Sequence, residues 1–482
     1  MPKGITIVGL GPGDPGLLTV EAWRVLQSAS EIYVRTRQHP TVESLPASAV
    51  IHSFDDIYEH SDTFEQVYGE ITSRVVELGC RSQGVIYAVP GHPLVGEASV
   101  HRILALAEKS GLTLRIVEGL SFVEPVCTRL KLDGLNGLQI ADATELALRH
   151  YPEFSPDLPL LVAQLYNRNL AADVKLVLMM LYPDDHEITL VRAAGTGDER
   201  VWAIPLYELD RCQQIDHLTS LYVPPLSEHG SLPAFQEVVA RLRAPGGCPW
   251  DREQTHQSLR PFLLEETYEV LQALDNADLT CLNEELGDLL LQILLHTQIA
   301  IEQGEFKMAD VVSQIVAKLK RRHPHVFGQV QVSDSQQVLV NWEQIKSEEK
   351  NHDGVGGATA GVPRSLPALA RSQALQRRAV RLGCEWPDIG GVWSDVEHKS
   401  KRLREAAKDA QEKELGELLL ALVSLARWMD IDAECALREA AERFERRFQD
   451  MERECAARGK QLAGLEPSEV DELWGKAKKL SG

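Results

Sequence analysis

The first 224 residues or so alternate between short β-rich runs and helix-like stretches. Gly4-Ile5-Thr6-Ile7-Val8 is an apolar run of strand length, and Gly84 to Val89 and Leu112 to Val117 are two more. Between the first two, Thr19 is placed to cap a helix whose apolar face is Ala22, Val25, Leu26 and Ala29. This alternation predicts an α/β domain over residues 1–225. Pro224-Pro225 and the Ser/Gly/Pro stretch to Pro233 then read as a linker. From Ala234 to about Lys350 the pattern is helical and charged. Asn351 to Gly357 is a second, flexible-looking breaker, and from Val362 onward the chain is helical again. The expected organisation is therefore an α/β domain (1–225) followed by two helical domains (234–350 and 362–482).

The two helical segments look like copies of one unit. Glu285 to Leu290 and Glu414 to Leu419 share a Glu-Leu-Gly-acid-Leu-Leu run. Each run is followed by an arginine pair, Arg321-Arg322 and Arg446-Arg447, and then by Trp-x-x-x-Lys, at Trp342 to Lys346 and Trp474 to Lys478. Three matches in the same order point to a duplication.

Composition narrows the field. A chain of 482 residues that is 44% apolar and 25% charged is globular and multidomain. No apolar run is long enough to span a bilayer, and the start, MPKGITIVGLGPGD, lacks the features of a secretion signal, so a cytoplasmic protein is expected. The eight cysteines form no Cys-x-x-Cys pair. A net charge of −21 argues against nucleic-acid or membrane partners, although bound cations still permit a nucleotide substrate.

Pro261 to Leu274 carries the most chemistry. At helical spacing Glu265 and Glu269 stack one turn apart with Glu266 beside them, while Glu285 and Asp288 share a face downstream. Apolar residues crowd both stretches, so packing the two helices together brings carboxylates to the edge of a core. There they repel and are poorly solvated. A hard divalent cation with oxygen ligands, Mg²⁺ with substrate phosphates, resolves the conflict. The alternative, a solvated acidic face, would normally mix in Lys or Arg one turn away, and Glu265, Glu266 and Glu269 have none there.

Leu264-Glu-Glu-Thr-Tyr-Glu269 followed by Glu285-Leu-Gly-Asp288 resembles the Glu-Glu-x-x-Glu…Glu-x-x-Asp signature of MazG proteins. Gly247-Cys-Pro-Trp-Asp251, Gln254-Thr-His256, Arg321-Arg-His-Pro-His-Val-Phe327 and Trp342-Glu-Gln-Ile-Lys346 match as well. The resemblance covers residues 234 to 480. It implies an all-α fold, a dimer or larger homo-oligomer, and Mg²⁺-dependent cleavage of nucleoside triphosphates to monophosphate and pyrophosphate. Glu265, Glu266, Glu285 and Asp288 are then expected to bind metal, and Glu269 metal or water. Lys318, Arg321, Arg322 and Lys346 are candidate phosphate contacts, and Trp342 either stacks on a base or joins the core. Cys248, His256 and His323 lie in matched motifs with no role assigned. In the second copy, His398, Lys399 and Arg402 stand where the first three acids belong, while Glu414 and Glu417 remain. That copy reads as degenerate, kept for packing or dimerisation, or as an anion site without cleavage.

The N-terminal segment has a resemblance of its own. Val8 to Thr19, Val89-Pro-Gly-His-Pro93, Glu118-Gly-Leu-Ser-Phe122 and Tyr222-Val-Pro-Pro225 are similar to the tetrapyrrole (corrin/porphyrin) methylase family, over residues 3 to 225. This implies a two-lobed α/β fold with S-adenosylmethionine in the cleft. Gly9, Gly11, Pro12 and Gly13 would border the acceptor side, and Pro90, Gly91, Pro93, Val95 and Ser121 would contact the methyl donor. The family commonly has Asp where this chain has His92, which leaves His92 as a base or a plain loop residue. The resemblance as a whole is to fused methylase–MazG proteins. The leading expectation is a pyrophosphohydrolase with an attached methylase-like domain. The alternatives are a bifunctional enzyme that also methylates a small molecule, and a non-catalytic nucleotide- and S-adenosylmethionine-binding scaffold.

Overall fold

Val85–Val89 is buried at all five positions and Gly4–Gly9 at all but one, the pattern of central strands covered on both faces. The computed structural model describes residues 3–60, 63–352, 362–380, 383–462 and 465–480. Strands β1 (Gly4–Gly9), β2 (Glu31–Val34), β3 (Val50–Ser53), β4 (Val85–Val89) and β5 (Thr113–Val117) form a parallel sheet in the order β3-β2-β4-β1-β5. One face packs Ile5, Ile7, Tyr87 and Val89 against Ile71, Val75, Val100 and Ile103. The other packs Val8, Ile86 and Ala88 against Ala22, Val25 and Leu26 of the helix Val20–Gln27. Thr19 caps that helix as expected, its hydroxyl oxygen accepting from the Ala22 N–H at 3.1 Å.

A second lobe holds β6 (Gln139–Asp142), β7 (Leu160–Ala163), β8 (Glu187–Arg192), β9 (Arg200–Pro205) and β10 (Thr219–Val223) in a mixed sheet ordered β6-β7-β10-β8-β9. Its core joins Leu160, Val162, Val174, Leu178, Leu190 and Leu221.

The stretch from Pro224 to Pro233 is anchored rather than a free tether. The Leu226 N–H donates to the Pro156 carbonyl at 2.8 Å. Asp157 accepts from the Gly230 N–H at 2.8 Å, from the Ser231 N–H at 3.3 Å and from the Ser231 hydroxyl. Ser231 in turn caps helix α1 (Leu232–Arg243), accepting from the Ala234 N–H at 3.2 Å.

From there the chain is helical: α2 (Arg260–Asp275), α3 (Leu279–Gln303), α4 (Met308–Arg322), α5 (Ser335–His352), α6 (Ala368–Val380), α7 (Ile389–Glu405), α8 (Gln411–Trp428), α9 (Ala433–Ala457) and α10 (Pro467–Leu480). The expected class, a two-lobed α/β region followed by a helical one, is the fold observed. The chain divides into two compact units, Met1–Asp310 and Val311–Gly482. In the first, Val239, Leu259, Leu294, Leu295 and Ile299 form the helical core. In the second, Gln373 ties α6 to the turn before α9, donating to the Ile431 carbonyl at 2.7 Å and accepting from the Ala433 N–H at 3.0 Å. Of the expected breaker, Asn351 and His352 end α5, and 353–357 lie outside the described residues. Among the described residues no helix is long and apolar enough to cross a membrane.

Burial alone would raise the Asp157 carboxyl, but the hydrogen bonds from Ser231 and Gly230 outweigh it and hold it below the usual carboxylate range. Its stabilising contribution is therefore present above the unfolded-state value and lost as pH falls through the folded one. Asp157→Ala is expected to cost about 2 kcal/mol at neutral pH, read from urea unfolding. The gap from wild type should close on acidification. An unchanged midpoint would show that the Pro224–Pro233 stretch is not anchored through this side chain.

Candidate active site and cofactor cleft

Helices α2 and α3 are joined by Asn276-Ala277-Asp278, with Ala277 in the left-handed region at φ 52°. Asp278 starts α3 by accepting from the N–H groups of Thr280 (3.0 Å) and Cys281 (3.1 Å). The inward face of α2 runs through Phe262, Glu266, Val270 and Ala273, and that of α3 through Leu282, Glu285, Leu289, Gln292, His296 and Ile299. Glu266 and Glu285 thus face one another from largely apolar stripes.

Carboxylate oxygens of Glu266, Glu285 and Asp288 all lie within 4.8 Å of one another. Glu266 and Glu285 are half-buried. Burial pushes the Glu266 carboxyl above the usual range. A hydrogen bond with Glu269 and the charges of Asp288, Glu269 and Glu285 push it further. The Cys281 thiol lies 3.5 Å from Glu285 and is itself raised, by burial first and then by Glu285, so it stays protonated and donates. Among the described residues none of these acids has a Lys or Arg ion-pair partner. A hard-oxygen donor set with no internal cation fits a divalent ion.

The structure brings together Glu266, Glu285 and Asp288, with Glu269 bonded to Glu266. Glu265 is exposed and outside the cluster. The reason is rotational: the inward face of α2 passes through position 266, and its neighbour in sequence points about 100° away.

The matched motif segments frame this hairpin. Gly247 has no room for a side chain, since a Cβ would lie 2.3 Å from the Leu242 carbonyl oxygen. Arg243, its side chain 5% exposed, grips Glu302 at 2.8 and 3.0 Å and also donates to the carbonyls of Asp251 and Gln254. His256 and His296 stack at 5.1 Å with Nδ1 atoms 2.8 Å apart. Burial, then His256, lowers His296. Sequence reading missed His296 and Gln292, although both continue the stripe begun by Glu285.

The basic candidates belong to the second unit and are described within it. Lys318 is exposed. Arg321 and Arg322 both bond Glu349, at 2.6 and 2.5 Å. Trp342 is half-buried, with the Arg322 guanidinium 5.2 Å and the Lys346 ammonium 4.4 Å from its ring centre. In the second hairpin, α7 and α8, Lys399 lies 3.2 Å from Glu417 and 3.3 Å from Asp395, and Arg402 lies 2.5 Å from Glu414. Side-chain cations stand there against the surviving acids.

In the N-terminal lobes the glycine-rich loops meet at the carboxyl ends of β1, β4 and β5, where open α/β sheets bind ligands. Gly11 and Gly91 exchange backbone hydrogen bonds of 3.2 and 2.8 Å. A Cβ on Gly9 would sit 2.6 Å from the Gly91 carbonyl oxygen and 2.7 Å from the Gly119 nitrogen. Pro12 and Gly13 follow in the same turn, whose carbonyls at Leu10 and Gly13 accept from Thr41 at 3.1 and 3.0 Å. Beyond Pro90, the His92 ring nitrogen Nδ1 accepts from the Leu94 N–H at 3.1 Å, and the Val95 N–H donates to the His92 carbonyl at 3.0 Å, folding Pro93 into a tight turn. Ser121 is buried and donates to Glu124 through its N–H (2.7 Å) and hydroxyl (2.6 Å). Beside these loops sits a buried group that sequence reading missed. Arg35 pairs with Glu97 at 2.7 Å, Glu97 accepts from Ser99 at 3.2 Å, and His39 is driven down to about 4 by burial and by Arg35. Arg35 Nε and His39 Nδ1 are buried with no partner among the described residues. Arg35 and His39 follow β2 and Glu97 follows β4, so no local pattern links the acid to the two basic groups.

Comparison with known proteins agrees with both halves. The MazG nucleotide pyrophosphohydrolase domain family matches residues 254–327, and the tetrapyrrole (corrin/porphyrin) methylases match residues 4–210. The uncharacterized protein YabN of Bacillus subtilis (strain 168) is 40% identical over 489 residues, covering 98% of both chains. A nucleoside triphosphate pyrophosphohydrolase of Escherichia coli (strain K12) is 43% identical over 249 residues, 50% of this chain and 95% of that one. A nucleoside triphosphate pyrophosphohydrolase/pyrophosphatase MazG of Thermotoga maritima is 41% identical over 249 residues, 51% of this chain and 95% of that one. With a tetrapyrrole-methylase fold region, a MazG helical region and full-length similarity to YabN, the chain belongs to the family of fused tetrapyrrole methylase–MazG proteins.

Proposed function

We propose that the chain hydrolyses nucleoside triphosphates to monophosphate and pyrophosphate at the α2–α3 hairpin, with Glu266, Glu285 and Asp288 holding Mg²⁺. The observation that carries this reading is the convergence of three carboxylates with no Lys or Arg ion-pair partner among the described residues. When bound, the ion neutralises charge on the phosphate oxygens. Glu269, hydrogen-bonded to Glu266, is proposed to orient the attacking water and take its proton, or to join the metal ligands. Glu265 stands outside this set. Lys318, Arg321, Arg322 and Lys346 are proposed to contact phosphate, and Trp342, with Arg322 and Lys346 over its ring, to stack on a base. The α7–α8 hairpin, filled by Lys399 and Arg402, is proposed to be structural. The MazG-named relatives of E. coli and T. maritima support the reaction class.

A second copy of the chain is proposed as partner. Val311, Val312, Ile315, Val316 and Leu319 form one stripe of α4, each between 37 and 47% exposed, which association would cover. Sedimentation equilibrium reads the mass directly. The net charge of −21 speaks against nucleic acid, and eight free cysteines accord with a reducing cytoplasm.

A second activity, methyl transfer from S-adenosylmethionine to a small molecule, is favoured by strain at the cleft. Gln164 and Ala193, at the ends of β7 and β8, hold φ of 59° and 51°, and Gln164 donates to the Gly96 carbonyl at 3.2 Å. The donor would lie along Pro90, Gly91, Pro93, Val95 and Ser121, with the acceptor toward Gly9, Gly11, Pro12 and Gly13. Calorimetric titration with S-adenosylmethionine should show binding that Gly91→Val, strained at φ 65°, removes. Equal binding by that variant would place the donor elsewhere.

The hydrolase reading is tested by pyrophosphate release from a panel of ribo- and deoxyribonucleoside triphosphates with Mg²⁺. Glu266→Ala is expected to lower turnover at least about a hundredfold. Turnover unaffected by it would put the working site outside the α2–α3 hairpin.

A further inference from the structure

Helix α4 ends on Arg321-Arg322, and α5 carries Trp342, Lys346 and Glu349 at i, i+4 and i+7, on one face. The Glu349 carboxylate lies between both guanidiniums. Arg321 donates through Nε at 2.6 Å, and Arg322 through Nε at 3.2 Å and Nη2 at 2.5 Å. The Arg322 side chain is 12% exposed and that of Glu349 20%, so their contact is largely withdrawn from water, while Arg321, 57% exposed, leaves the group open to solvent. Arg322 also rests over the Trp342 ring, with Lys346 over the same ring.

Two guanidiniums on one carboxylate leave a positive charge uncompensated, and a carboxylate offers only two oxygens to their donors. A terminal phosphate carries a second negative charge and a third oxygen, and suits the arginine fork better. Hydrogen bonds from Arg322 and Arg321 overcome burial and hold the Glu349 carboxyl down at about 2, a sign of how firmly the pair grips an anion.

We propose that Glu349 occupies a phosphate-binding site built by Arg321 and Arg322, and that an incoming oligophosphate displaces it. Glu349 thus closes the site when substrate is absent and weakens binding by competition. This rests on the reading that the chain takes nucleoside triphosphates, and it assigns Glu349 a part in setting their affinity.

The test is calorimetric titration of the full chain with inorganic tripolyphosphate in EDTA. Without divalent metal the arginine pair is read independently of the acidic hairpin. A failed hydrolase reading would appear in the turnover of Glu266→Ala and leave this titration untouched. Glu349→Gln is expected to bind tripolyphosphate about tenfold tighter than wild type, and Arg321→Gln with Arg322→Gln at least about tenfold weaker. Binding by Glu349→Gln that is equal to or weaker than wild type, at unchanged thermal unfolding, overturns the proposal. Should Glu349→Gln not fold, Glu349→Asp, whose shorter arm loosens the clamp, carries the test. Tighter binding than wild type is expected, and equal or weaker binding overturns the proposal.

Discussion

Like charges forced together on a rigid frame are the constraint around which the helical region is built. Glu266, Glu285 and Asp288 cannot separate without unpacking α2 from α3, whose shared face is set by Phe262, Ala273, Gln292 and Ile299. The helices are fixed at one end by the Asp278 cap and beyond the other by Arg243, which clamps Glu302 to the segment before α2. Burial first, and then the neighbouring acids, raise the Glu266 carboxyl. On the proposed reading, a cation entering such a cluster would stabilise the frame by relieving the crowding of like charges.

The chain contains its own contrast. In the α7–α8 hairpin the positions corresponding to Glu266 and Glu269 are Lys399 and Arg402, which meet Glu417 and Glu414. In that hairpin internal cations stand against the acids. A charge already neutralised by a side chain offers little to a free ion. The arginine pair at the end of α4 shows the reverse arrangement, cations gathered on a single internal anion.

Much of this was legible in the sequence, for physical reasons. The three strands anticipated in the first lobe are short runs rich in β-branched residues, and Thr19 stands one residue before the helix that carries the apolar face. The acids were found because carboxylates without basic neighbours at helical spacing are costly. Periodicity placed Glu265 with the others, yet only packing against α3 decides which side of α2 turns inward, and that side holds Glu266. The anchoring of the Pro224–Pro233 stretch was not legible, because composition marks a break in pattern while Asp157 lies far away in sequence. Nor were Arg35, His39 and Glu97, brought together only when the parallel sheet forms, or Glu349, which reads as one more acid in a charged helix.

The most direct measurement is Mn²⁺ binding followed by electron paramagnetic resonance on three proteins: wild type, Asp288→Asn and Glu417→Gln. With the metal held by the α2–α3 hairpin, Asp288→Asn should weaken binding at least about tenfold, while Glu417→Gln should match wild type. Binding lost in Glu417→Gln and kept in Asp288→Asn would contradict this assignment and move the metal to the hairpin that Lys399 and Arg402 fill.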